Sequence, residues 1–66
     1  MEKLNLALNE RVVFHGAPGL DGMKGYNLGK SSSHIVDFYM IMLDHPLPES
    51  LAINIIETCL DREYPP

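Results

Sequence analysis

Val36-Asp37-Phe38-Tyr39-Met40-Ile41-Met42-Leu43-Asp44 is the stretch on which the fold turns, because it is apolar on both faces of a strand in a chain of 66 residues. Successive side chains of a strand point to opposite faces. Ile35, Tyr39, Ile41 and Leu43 therefore share one row, and Val36, Phe38, Met40 and Met42 share the other. A domain of this size buries one such row and leaves the second for something else. The stretch predicts a central strand, with Asp44-His45-Pro46-Leu47-Pro48-Glu49 ending it, because proline donates nothing to a ladder and biases the preceding residue away from helix.

Upstream, Leu4, Leu6 and Leu8 alternate with Asn5, Ala7 and Asn9, which predicts a lead-in strand within residues 1–8. Arg11-Val12-Val13-Phe14-His15 predicts a second strand from its paired valines and its phenylalanine. Gly16-Ala17-Pro18-Gly19-Leu20-Asp21-Gly22 predicts a turn-rich loop. Gly25 to Lys30 predicts a short strand with glycines at both ends, and Ser31 to Ser33 a mobile polar connection.

Downstream, Leu51 to Leu60 fits two patterns. Leu51, Ile53 and Ile55 alternate as in a strand, whereas Ala52, Ile55, Ile56, Cys59 and Leu60 fall on one helical stripe. Ile53, Ile55 and Ile56 favour a strand over 51–56, since β-branched side chains lose rotamer freedom in a helix. A 3-10 turn over Glu57 to Leu60 and a last short strand at Asp61 to Glu63 follow, with 64–66 a frayed tail. The expected fold is mostly β: one domain over 1–66, about five short strands and a one-turn 3-10 helix. The alternative is a sheet packed on a C-terminal helix at 49–61.

Composition narrows the function classes. An apolar share of 45% and an aromatic share of 8% are those of a globular protein. Nine acidic against five basic side chains give a net charge of −4, which repels phosphate and disfavours nucleic acid as a partner. The single cysteine, Cys59, forms no internal disulfide and suits a reducing cytoplasm. No segment approaches the roughly 20 apolar residues that cross a bilayer, so no membrane partner is expected.

The order of features resembles small SH3-like β-barrels of the KOW type. The residues that carry the likeness are Arg11-Val12-Val13, the glycine loop with Gly22 and Gly25, Tyr39-Met40-Ile41-Met42-Leu43-Asp44, and Ile53-Asn54-Ile55-Ile56-Glu57-Thr58-Cys59-Leu60. The likeness spans about Asn9 to Arg62. Asn9-Glu10 stands where many such modules carry glycine, and the glycine loop is longer than theirs. The chain is also similar to short accessory proteins of bacteria and their phages that carry this barrel alone. The resemblance implies a barrel with Tyr39, Ile41 and Leu43 inside and Phe38, Met40 and Met42 outside. Members of this fold bind RNA, DNA, peptides or other subunits, so the fold alone selects no function.

Chemistry-bearing residues are sparse. His15, His34, His45 and Cys59, with Asp37 or Asp44, are metal-ligand types, but no pair has the short spacing of a structural zinc site, so neither metal nor cofactor is expected. Ser31 to Ser33 beside His34, and Cys59, lack an oxyanion hole and a third orienting group, so no enzyme is expected. The glycine loop lacks the Gly-Lys-Ser/Thr ending of a phosphate cradle.

The expected function is a noncatalytic, cytoplasmic interaction module with a protein partner or a second copy. Phe38, Met40 and Met42 would supply apolar contact, with Leu20, Asp21 and Tyr26 beside the glycine loop. Asp44, Glu49, Glu57, Asp61 and Glu63 would favour a basic partner. Two rival readings are a nucleic-acid-associated barrel, acting through Arg11, Lys24, Lys30 and Tyr26, and a phage-type acidic inhibitor of a host nucleic-acid-binding protein. The coverage of Phe38, Met40 and Met42 separates a site from a mere core: the chain's own ends could lie over them, or a partner could.

Overall fold

The structure is a computed structural model and describes residues 4–65. Five strands form one antiparallel sheet: β1 (Arg11–Phe14), β2 (Lys24–Ser32), β3 (Asp37–Leu47), β4 (Ser50–Ile56) and β5 (Leu60–Arg62), with a 3-10 turn at Glu57–Cys59 between β4 and β5. The strand order is β4-β3-β2-β1-β5. The fold is thus mostly β with one 3-10 turn, as the isoleucine pattern of 51–56 indicates, and the alternative helix at 49–61 is absent. The sheet is open: β4 and β5 are its two edges and share no ladder, so it does not close into a barrel.

Tyr39, Ile41 and Leu43 lie buried on one face of β3, with Val12 and Phe14 of β1 and Leu60 of β5 completing the core. Ile35 departs from the expected inner row. It lies before the strand, in the β2–β3 turn, and is 90% exposed. Leu4, Leu6, Leu20, Met23, Ile53 and Ile55 pack against the core from its rim.

Three expectations about strand limits need correction. Residues 4–8 form no strand: Asn5 and Asn9 adopt positive φ of 47° and 65°, which breaks an extended run at the residue type that tolerates it best among non-glycines. Ser31 and Ser32 belong to β2 rather than to a loop, held opposite Phe38 and Asp37. The ladder carries them past a bulge at Leu28, where Asn27 pairs with Ile41 and Gly29 with Met40.

Proline does not end β3 at Asp44 either. The strand runs to Leu47, which pairs with Ser50 across a turn at Pro48 and Glu49. Between the pairs Met42 with Ala52 and Leu47 with Ser50, four β3 residues (Leu43 to Pro46) face one β4 residue (Leu51). Pro46 sits in this irregular stretch, beyond Leu43, where β2 stops pairing, so its missing N–H costs no regular ladder bond.

Gly25 is required where β2 crosses β3. A Cβ there would overlap the Met42 carbonyl oxygen and stand 2.8 Å from Ile41 Cγ2. In the β1–β2 loop, Gly22 at φ +84° donates its N–H to the Phe14 carbonyl at 2.9 Å and turns the chain back onto β1.

The N-terminal lead-in is fastened by side chains instead of a ladder. Asn27, 1% exposed, donates from Nδ2 to the Ala7 carbonyl at 2.9 Å, and its Oδ1 accepts the Gly29 N–H at 2.9 Å. The Leu6 N–H donates to the Tyr39 hydroxyl at 3.2 Å. Arg62 donates to the carbonyls of Leu4 and Asn5 and to Glu10 Oε2, the last at 2.6 Å. One buried amide therefore ties the lead-in and the β2 bulge together, its own polar atoms satisfied by backbone groups on both.

Candidate functional site

The outward row of β3 is the candidate site, and ladder register gives its neighbours. Residues directly opposite in an antiparallel pair lie on the same face. Phe38 stands between Ser31 and Ile56, Met40 between Gly29 and Asn54, and Met42 between Tyr26 and Ala52. Phe38, Met42, Tyr26, Ala52 and Ile56 are half-buried, and Met40 is 39% exposed. The result is an apolar field across β2, β3 and β4, with the smallest residues, Gly29 and Ala52, beside the methionines. Methionine is flexible and polarisable and adapts to surfaces of different shape.

The chain's lead-in lies on the other side of the sheet. Leu4 and Leu6 pack against the core built on Tyr39, Ile41 and Leu43, and Leu8 is 70% exposed. Of the two possible covers for Phe38, Met40 and Met42 within the chain, Leu4 and Leu6 of the N-terminal segment are therefore engaged on the inner row, and the C-terminal helix is absent among the described residues.

A charged border runs along one side of the apolar field. Arg11 pairs with Tyr26 in the β1–β2 ladder, so it continues the row of Ala52, Met42 and Tyr26. Its guanidinium donates to both carboxylate oxygens of Asp44, at 2.7 Å to Oδ1, and through Nε to Glu63 Oε1 at 3.0 Å. Lys24 Nζ lies 3.2 Å from Glu63 Oε2. Hydrogen bonding to Arg11 is the main cause that holds the Asp44 carboxyl below its ordinary range, and Arg11 followed by Lys24 does the same for Glu63. The guanidinium is correspondingly raised, chiefly by its bonds to Asp44 and Glu63.

Lys30 is raised by its bond to Asp37, with Nζ 3.2 Å from Oδ2, and Ser32 Oγ donates to Asp37 Oδ1 at 2.8 Å. Arg62 is paired with Glu10. Each lysine and arginine among the described residues thus sits in an ion pair.

Leu20 and Asp21 occupy a different place from the outward row. Leu20 packs on the core, and Asp21 Oδ1 accepts the Ala17 N–H at 3.2 Å, which closes the loop on itself. Tyr26 joins Met42 directly. Ala52 and Ile56 complete the field and escape sequence reasoning. A regular hairpin closed at Leu47 and Ser50 would set Met42 opposite Ile55, and only the irregularity in β3 brings Ala52 there.

Among the described residues no group of three or more His, Cys, Asp or Glu side chains is gathered as metal ligands, and no helix is long and apolar enough to cross a membrane. An open cleft of about 420 Å³ between Asp21 to Lys24 and Asp44 to His45 borders the field on the charged side. No family model, curated protein or solved structure matches this chain.

Proposed function

We propose that the chain is a small SH3-like module that acts in the cytoplasm as a noncatalytic protein-interaction domain. Its partner contacts the outward face of β3 at Phe38, Met40 and Met42, with Tyr26 beside them. The observation that carries this reading is the split of the strand: the lead-in leucines pack on the inner row, while the methionine row stays at the surface. The strand order β4-β3-β2-β1-β5, with a 3-10 turn before the last strand, supports the SH3-like type, although the sheet is open.

Apolar side chains at the centre and ion pairs at the border are the usual arrangement of an interface, in which the centre supplies affinity and the border sets orientation. The net charge of −4 favours a partner with a basic rim. Pairing of Arg11, Lys24, Lys30 and Arg62 with carboxylates leaves little positive charge for phosphate, which weighs against the nucleic-acid reading.

Affinity capture with the wild-type chain and with Met40→Lys tests the proposal. Met40 is exposed enough for lysine to be accommodated without loss of the fold. A protein retained by the wild type and lost by the folded variant is the expected result. Equal retention by both would overturn the assignment of this face.

A further inference from the structure

We infer that the β4 edge of the sheet takes the β4 strand of a second copy of this chain. This surface is separate from the outward face of β3. The two edges of the sheet differ sharply. β5 is Leu60-Asp61-Arg62, short and charged at two of its three positions, which is how proteins blunt an edge. β4 is Ser50-Leu51-Ala52-Ile53-Asn54-Ile55-Ile56, seven residues with no charge, no proline and no glycine. It is the strand of the five that lacks a charged residue. One side of it pairs with β3, and the other presents backbone donors and acceptors at the end of the sheet.

Self-complementarity selects the occupant. Two copies of net charge −4 repel each other, and the seven residues of this strand add no charge of their own to that repulsion. The strand is complementary to itself. An antiparallel pairing centred on Ile53 aligns all seven residues and forms a two-fold interface of the isologous kind. On the inner side it sets Leu51 against the second copy's Ile55, and Ile53 against its own counterpart. Leu51, 65% exposed in the single chain, thereby gains an apolar neighbour. On the outer side Asn54 faces Ala52, and the apolar fields of the two copies become parts of one sheet surface.

The pairing is weak. A standard interface covers about 800 Å² per partner, about a sixth of this chain's 4544 Å² surface and more than a seven-residue edge supplies. Glu49 and Glu57 flank the strand and meet in this register, so added salt strengthens association by screening them.

Sedimentation equilibrium up to about 1 mM tests the inference, at a concentration where weak contacts are populated. The average mass is expected to rise from 7.4 kDa toward twice that value. The rise should be lost in Leu51→Lys and kept in Met40→Lys. A monomer mass throughout, or dimers that survive Leu51→Lys and vanish in Met40→Lys, would overturn it; the second pattern would place self-association on the methionine face instead. Cysteine crosslinking in a Cys59→Ala background reads the register. Ile53→Cys should join two copies, since opposed residues bring their Cα atoms within disulfide reach, whereas Leu51→Cys should not. The reverse pattern would contradict this pairing.

Discussion

The two rows of β3 have the same backbone and nearly the same hydrophobicity, yet they serve the molecule differently. Tyr39, Ile41 and Leu43 are closed in by Val12, Phe14 and Leu60 and roofed by Leu4 and Leu6. Phe38, Met40 and Met42 lie between ladder neighbours of β2 and β4, half-buried or exposed. Which row becomes core depends on what lies outside the strand: Val12, Phe14 and Leu60 of the other strands, with Leu4 and Leu6 of the lead-in at the rim. Apolar character alone does not distinguish a buried row from one left at the surface.

Substitutions can break this contrast, and the inner row should give the largest effects. Ile41→Ala removes a fully buried side chain and is expected to cost about 2 to 5 kcal/mol, enough to unfold much of a domain this small, as followed by urea denaturation. Gly25→Ala should cost about 3 kcal/mol, at the upper end for overpacking, because the obstructing atom is the Met42 backbone carbonyl and cannot swing away. Asn27→Ala should cost about 1 to 3 kcal/mol by removing the buried amide's bonds to the Ala7 carbonyl and the Gly29 N–H. Loss of hydrogen-exchange protection at Gly29 would locate that effect. On the outward row, Met40→Ala should move stability by no more than about 0.5 kcal/mol. A loss as large as that of Ile41→Ala would erase the distinction between the rows.

The smallest effect is a pH dependence at the charged border. Asp44 and Glu63 have folded-state values below their ordinary ones, so their stabilisation is present above the ordinary carboxylate range and fades as pH falls through the lowered values. Denaturation midpoints should therefore decline on acidification, and the decline should be shallower in Arg11→Gln, which removes the main partner of both carboxylates. An unchanged slope would show that the border is decoration.

Much of this arrangement is legible in the chain. Period-two alternation separates the rows of β3, and three isoleucines make β4 a strand, because both signals depend on local backbone geometry. The remainder depends on contacts distant in sequence. Ser31 and Ser32 become strand because Phe38 and Asp37 stand opposite them, not from any preference of serine. Pro46 enters β3 because β2 has already stopped pairing there. Leu4 and Leu6 read as strand by alternation, but Asn27, Tyr39 and Arg62 hold that segment as an irregular cover over the core. Leu20 joins the core because its loop folds back, so of the residues beside the glycine loop only Tyr26 adjoins the methionine row.

Placing a photo-crosslinking residue at position 40 of the folded protein, with a control at exposed Thr58, tests the central claim most directly. Crosslinking in the cells that produce the chain should give a discrete heavier protein adduct from position 40 and none from position 58. The same adduct at equal yield from both positions, or none from position 40 in a folded chain, would contradict the assignment of the outward row as the contact surface.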